Sequence, residues 1–264
     1  MNILFLGDIV GRPGRKIVKN LLPQLIEFYE IDLVIANGEN AAGGKGITLP
    51  ILKELFKDGI DVVTTGNHVW ERREILKFIN EEKRLLRPAN MSASAPGKGS
   101  TVIQCGDHFV GILNLIGRIF MSPAECPFLV AAKEVALLQK VTPNIIVDFH
   151  AEATSEKIAM GWFLKGKVSA VLGTHTHVQT ADEKIYDEGT AYISDAGMVG
   201  PYNSVLGLDP DLVLDRFLTG LPTKWRLADG EGLLNGIYLQ IDSQSGKALR
   251  IERIAQRCDN LLTY

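Results

Sequence analysis

Several short apolar runs in this chain end in a residue able to bind a metal ion. Ile3–Leu6 leads to Gly7-Asp8, Leu33–Ala36 to Asn37-Gly38-Glu39-Asn40, and Val62–Thr65 to Gly66-Asn67-His68. Ile145–Phe149 leads to His150, and Ala170–Leu172 to Gly173-Thr174-His175-Thr176-His177. Such runs read as buried strands, and the amphipathic stretches between them as helices. That alternation implies a parallel sheet covered on both faces. In such sheets ligands bind in the crevice beyond the carboxyl ends of the strands, so residues far apart in sequence can converge there.

The expected helices are Gly14–Tyr29 with a break at Pro23, Leu49–Asp58, Trp70–Asn80, Pro127–Lys140, Ser155–Leu164 and a segment near Pro210–Leu218. Ala89–Ser100, rich in Ala, Ser, Gly and Pro, reads as a loop. Thr101–Gln104 and Phe109–Leu115, joined by Cys105-Gly106-Asp107-His108, resemble a hairpin. Thr190–Ile193, Ile237–Ile241 and Leu249–Ile254 read as late strands of antiparallel type. A mixed two-sheet sandwich therefore fits better than one parallel sheet. Without a repeat or a linker, residues 1–264 read as one domain.

Composition narrows the function classes. A chain of 264 residues with 46% hydrophobic and 22% charged residues has material for a core. The net charge of −3 leaves no basic footprint, so binding of an extended nucleic-acid duplex is not expected. Three cysteines, Cys105, Cys126 and Cys258, form no CxxC motif and read as ordinary thiols of a reducing compartment. The opening apolar run is too short for a signal peptide, and no stretch approaches a membrane span. These features lead to the expectation of a cytoplasmic protein.

Four of the five histidines lie in the strand-end motifs, and histidine is the commonest metal ligand. Asp8, Glu39, Asn40, Asn67, His150, His175 and His177 offer carboxylate, amide and imidazole, which suit Mn, Fe or Zn. The missing thiolates argue against a structural zinc site. The set exceeds what one ion needs and would serve two ions sharing a carboxylate. By formal count two divalent cations with Asp8 and Glu39 keep a net +2, which favours anionic substrates and acidifies bound water. Taken singly, each motif has a plainer reading: Asp8 as a turn or helix cap, Gly66-Asn67 as a turn. Their joint occurrence at successive strand ends is what favours the metal reading. Gly7, Gly11 and Gly14 miss the dinucleotide fingerprint, and Gly43-Gly44-Lys45-Gly46 lacks a P-loop ending. Arg12 and Lys45 are candidates for touching substrate phosphate. His108 reads as a solvated turn residue, and Trp70 and Trp162 as packing residues.

In order, these motifs resemble those of the calcineurin-like metallophosphoesterases. Gly7-Asp8-Ile-Val-Gly-Arg-Pro-Gly14, Asn37-Gly-Glu-Asn-Ala-Ala-Gly-Gly44, Thr65-Gly-Asn-His-Val-Trp70, Asp148-Phe-His-Ala-Glu-Ala-Thr-Ser-Glu-Lys157 and Ser194-Asp-Ala-Gly-Met198 are similar to those of the bacterial YmdB-like phosphodiesterases. The resemblance implies a four-layer α/β-β/α sandwich of two mixed sheets, a dinuclear iron or manganese site, and hydrolysis of phosphodiesters such as 2′,3′-cyclic nucleotides. It implies Asp8, Asn40 and His177 on one metal, Asn67, His150 and His175 on the other, and Glu39 bridging. Metal-bound hydroxide would attack phosphorus, and His68 would be the general acid for the leaving oxygen. Two positions depart from the broad superfamily: Val10 stands where a histidine ligand is usual, and Glu39 replaces the shorter Asp. Asn40 would fill the place vacated by Val10. Alternative readings are a regulatory protein that binds a nucleotide or RNA end and signals, and a TIM-barrel amidohydrolase, disfavoured by the late antiparallel strands. The oligomeric state is left open.

Overall fold

Side-chain parity along the strands sorts the apolar residues into three separate cores. The computed structural model describes residues 1–258. Its strands are β1 (Asn2–Leu6), β2 (Asp8–Ile9), β3 (Leu33–Asn37), β4 (Val62–Thr64), β5 (Ser100–Cys105), β6 (His108–Ile116) and β7 (Ile145–His150). They continue with β8 (Ala170–Thr174), β9 (Lys184–Ile185), β10 (Ala191–Ile193), β11 (Met198–Pro201), β12 (Gly232–Ile241) and β13 (Ala248–Cys258). The helices are α1 (Gly11–Phe28), α2 (Leu49–Lys57), α3 (Pro127–Leu138), α4 (Thr154–Leu164) and α5 (Pro210–Thr219).

One sheet runs β2-β11-β12-β1-β3-β4, with β13 also on β12; the other runs β5-β6-β7-β8-β10-β9. Both are mixed: β1, β3 and β4 are parallel while β12 is antiparallel to β1, and β6, β7, β8 and β10 are parallel between antiparallel edges. Ile3, Phe5 and Ile35 of the first sheet meet Ile112, Ile146 and Leu172 of the second in the central core. The neighbours Leu4, Leu6 and Val34 face the other way, against Ile17, Leu21 and Leu25 of α1 and Leu52 and Leu55 of α2. Leu113, Val147 and Phe149 likewise turn outward onto Val135 of α3 and Met160 and Leu164 of α4. Helices, sheet, sheet and helices thus make four layers, as the resemblance implied.

Four local expectations are corrected. α1 does not break at Pro23 but runs from Gly11 to Phe28, because Ile17, Val18, Leu21, Leu22 and Leu25 bury one continuous face across it. Trp70–Asn80 is not a helix: a 3₁₀ turn at Arg73–Lys77 is its helical part. The chain there leaves the strand end through turns and buries Val69, Ile75 and Ile79, which anchor a loop rather than one helical face. The hairpin is present, with Cys105 opposite His108. His108 is less solvated than expected, since its Nε2 lies 3.0 Å from Ser243 Oγ. Trp70 packs partly against the core, whereas Trp162 is half exposed with Lys165 over its ring.

Candidate metal centre

The inward face of the sandwich changes from apolar to polar at the carboxyl ends of its strands. Two residues beyond Ile35 stands Asn37, beyond Val62 Thr64, beyond Ile146 Asp148 and then His150, and beyond Leu172 Thr174, all buried. Period-two alternation puts each on the face of its apolar predecessor. They form one network. Thr64 Oγ1 and Asn37 Nδ2 donate to Asp148 Oδ2 at 2.5 and 3.1 Å, and Thr174 Oγ1 donates to Asp148 Oδ1 at 2.7 Å. Burial pushes the Asp148 carboxyl up to about 6, against the pull of His150 and both hydroxyls. Thr174 Oγ1 also lies 2.9 Å from His150 Nδ1, which fixes that ring and turns Nε2 toward the crevice.

The predicted ligands surround that nitrogen. His150 Nε2 lies 3.0 Å from Asn67 Oδ1, 3.0 Å from His175 Nδ1 and 3.3 Å from Glu39 Oε1. On the other side of Glu39, His177 Nε2 is 3.1 Å from Asn40 Nδ2 and 3.9 Å from Asp8 Oδ1, and Asp8 Oδ1 is 3.9 Å from His150 Nδ1. All seven predicted ligand residues are therefore brought to one place. Ligand atoms of Glu39, His150 and His175 lie within 4.8 Å of one another. Gly66 is required at this point, because a Cβ there would come within 2.3 Å of Glu39 Oε2 and 2.2 Å of the His150 ring.

The charges in this pocket fit a cation. Asp8 Oδ1 is buried without a hydrogen-bond partner among the described residues, and the buried Glu39 Oε1 meets the imidazoles of His150 and His68. An uncompensated buried carboxylate oxygen is costly, and metal coordination removes the cost. Without an ion, these carboxylates and imidazoles titrate against one another. Burial raises Asp8, more than the nearby histidines lower it. Burial also pushes Glu39 upward, but His150 and His68 overcome it and hold the carboxyl well below the usual range. His150, which burial alone would lower, is raised to about 9 by Glu39, Asp8 and Asp148. Burial, then the His150 charge, takes His175 down to about 3. Two carboxylates, amide oxygens and imidazoles without thiolate are a donor set for a borderline divalent ion.

Each of the three histidines has its outward nitrogen held. His150 uses Thr174, His177 Nδ1 lies 3.0 Å from the Leu206 carbonyl, and His175 Nε2 lies 3.0 Å from Glu152 Oε2. His175 and His177 both sit at positive φ, 103° and 64°, a region costly for side-chain-bearing residues. What holds them there is Thr176 between them, whose N–H and hydroxyl both donate to Asp195 Oδ2, at 3.0 and 2.7 Å. Asp195 also accepts from Gly197 N at 2.8 Å and from Lys157 Nζ at 2.7 Å, and Lys157 and Asp195 are both buried. The Gly197 carbonyl in turn accepts from Asp8 N at 3.0 Å. Asp195 and Lys157 thus organise both ends of the ligand set. Both stand in the sequence motifs given above without an assigned task; the signal was a Lys closing the motif that holds His150 and an Asp in a motif that supplies no ligand of its own.

His68 lies beside the ligands. Its N–H donates to Glu39 Oε2 at 3.1 Å, and Nδ1 lies 2.7 Å from Asn40 Oδ1 and 3.1 Å from Glu39 Oε1. Its Nε2 has no hydrogen-bond partner among the described residues, and the ring lines a cavity of about 510 Å³. The floor of this cavity includes Glu39, Asn40, His175 and His177, with Val10 at its edge. Its roof is the segment 205–227, containing α5. Of the two phosphate-contact candidates, Lys45 lines a smaller adjoining cavity, and Arg12 is exposed at the start of α1 and lines neither.

A four-layer sandwich with carboxylates, amides and imidazoles gathered at its strand ends defines a calcineurin-like metallophosphoesterase. Residues 4–254 match the YmdB-like protein family, and the chain belongs to that family. It is 48% identical over 261 residues to the 2′,3′-cyclic-nucleotide 2′-phosphodiesterase of Bacillus subtilis (strain 168), covering 99% of each chain. It also matches the crystal structure of a phosphatase from Mycoplasma pneumoniae, with a TM-score of 0.93 and 36% identity over 99% of this chain and 95% of that one. The fold alone is shared with the NAD nucleotidase of Haemophilus influenzae, at a TM-score of 0.61 and 14% identity over 97% of this chain and 55% of that one.

Proposed function

We propose that the protein is a dinuclear metal-dependent phosphodiesterase that opens 2′,3′-cyclic nucleotides or related small phosphodiesters. The observation that carries this is the convergence of seven potential ligands on two buried carboxylates, of which Asp8 Oδ1 has no hydrogen-bond partner among the described residues. The activity named for the Bacillus subtilis relative supplies the substrate class. Asp8, Asn40 and His177 would hold one ion, Asn67, His150 and His175 the other, and Glu39 both. Asn40 now turns its amide nitrogen to His177, so ligation uses the flipped amide, an assignment set by the hydrogen-bond network. Bound there, the ions, iron or manganese with zinc acceptable, would supply positive charge for the phosphoryl oxygens and acidity for a water.

The chain's own residues do the rest. Glu39 Oε1, 3.1 Å away, holds the Nδ1 side of His68, which leaves Nε2 to deliver a proton to the departing 2′ oxygen. Breaking the bond to that oxygen leaves a 3′-phosphomonoester. Asp148, through Thr174, holds His150 in orientation, and Asp195 holds the His175–His177 turn. The reading treats residues 1–264 as one domain, supported by the pairing of β1 with β12 near the other end of the chain. A cytoplasmic location is supported by three unpaired cysteines, and no described helix is long and apolar enough to cross a membrane. Chelator-stripped protein should not hydrolyse 2′,3′-cyclic AMP, and reloading with Mn²⁺ or Fe²⁺ should restore formation of 3′-AMP. Equal turnover by stripped and loaded protein would overturn the proposal.

A further inference from the structure

The roof of the cavity carries chemistry that phosphodiester cleavage does not use. Opposite the ligand floor the lining is largely aliphatic and aromatic, chiefly Leu208, Leu212, Phe217, Trp225 and Leu227. Trp225 is 60% exposed, so it is not a core residue. It lines both the 510 Å³ cavity and the smaller one beside it, whereas Lys45 lines the smaller one alone, with Nζ 4.6 Å from the centroid of the Trp225 ring. The indole therefore stands in the wall between the two cavities, with a cation over the face on the Lys45 side. The segment is fixed relative to the floor. Within it Leu208 bridges Leu227 beside Trp225, and the Leu206 carbonyl ties it to the floor at His177 Nδ1.

We propose that Trp225 is the platform on which the substrate's nucleobase stacks, so that the roof is a base-binding subsite that accepts any base. This rests on the cyclic-nucleotide reading of the floor. With the cyclic phosphate held by the ligand cluster and the ribose spanning the cavity, the base is the apolar, planar part left to meet the roof. The volume is within the range of about 300–1,000 Å³ that holds such ligands. The roof offers a ring face together with Arg216, Thr223 and Lys224; the Asn and Glu side chains that line the cavity, Asn40, Glu39 and Glu152, lie outside the roof, which carries no amide or carboxylate of its own to read a base edge. Stacking is tolerant of sequence because every base has a π-face, and is worth roughly five- to hundredfold per base when the platform is truncated.

The test uses metal-loaded full-length protein and two substrates, 2′,3′-cyclic AMP and the base-free methyl riboside 2,3-cyclic phosphate. Wild type should show a KM about tenfold lower for the base-bearing compound. Trp225→Ala should raise that KM about tenfold with kcat little changed, and leave the base-free substrate unaffected; Trp225→Phe should retain most of the preference. Wild type should treat 2′,3′-cyclic CMP within about tenfold of 2′,3′-cyclic AMP. Equal losses on both substrates in Trp225→Ala, no loss on either, or outright rejection of the cytidine compound would overturn the subsite. Should loaded wild type cleave none of these compounds, the phosphodiesterase reading falls and calorimetric binding of the same compounds decides the subsite. A preference for the base-bearing compound that vanishes in Trp225→Ala supports it, and equal affinities in wild type refute it.

Discussion

The floor and the roof of the cavity are built in opposite ways. In the floor, Asp8, Glu39, Asn40 and His150 are at most 1% exposed, and their orienting partners Asn37, Thr64, Asp148 and Asp195 are equally enclosed. In the roof, α5 buries none of its residues, and Phe217 and Leu218 are 80% and 84% exposed. Burial and hydrogen bonding make the floor a site of fixed geometry, which a centre that positions charge requires. The roof is closed on itself by the Leu208–Leu227 bridge and the Asp209–Arg226 pair, and it meets the floor through the Leu206 carbonyl on His177. The lesson is a division of labour, with reaction assigned to the enclosed part and recognition to the exposed one.

Substitutions should separate the two regions. His68→Ala should retain its metals and lose about 10²–10⁴-fold in kcat, measured alongside metal content; metal loss with the activity would make His68 a ligand. Lys157→Met leaves Asp195 buried without its cation and should cost about 3–5 kcal/mol by denaturant unfolding, while Lys157→Met with Asp195→Asn should recover much of that stability. Glu152→Gln, which weakens the hold on His175 Nε2, should lower metal affinity about tenfold in equilibrium dialysis. In the roof, Leu218→Ser should change stability by no more than about 0.5 kcal/mol; a floor-sized loss would erase the contrast.

The smallest effect is a pH dependence on the floor's outer support. Burial pushes the Asp182 carboxyl up, but the hydroxyls of Ser194 and Thr180 and the Ser194 amide outweigh it and hold it below its ordinary range. A lowered folded value means stabilisation that is complete above the unfolded value and fades as pH falls through the folded one. Asp182→Asn should therefore melt slightly below wild type at neutral pH, with the gap closing as pH falls below the ordinary carboxylate range. A gap that widens in acid would contradict the assigned shift.

The same contrast decides what the sequence could reveal. Each candidate ligand of the floor follows an apolar run, so the strand-end rule placed Asp8, Asn67 and His150 in one crevice before any coordinates, and there they converge. The four layers were implied by the family resemblance, while the late strands pointed to a mixed two-sheet sandwich; of these, β10 proves parallel to β8, and antiparallel to β9 alone. Asp195 was hidden because its partners Lys157 and Thr176 are distant in sequence and meet through tertiary packing alone. Pro23 misled because local propensity was overridden by the buried face of α1. Trp225 lies in Leu221-Pro-Thr-Lys-Trp225, outside any helix or strand, and gains meaning only when the Leu208–Leu227 bridge returns it to the cavity.

The central claim is that two ions are held by one enclosed set of ligands bridged by Glu39. Equilibrium dialysis of stripped protein against Mn²⁺, followed by metal analysis, tests it most directly. The account predicts two ions per chain in wild type, and a marked loss from both positions in Glu39→Ala at unchanged folding by circular dichroism. Two ions retained in Glu39→Ala, or no more than one in wild type, would contradict it.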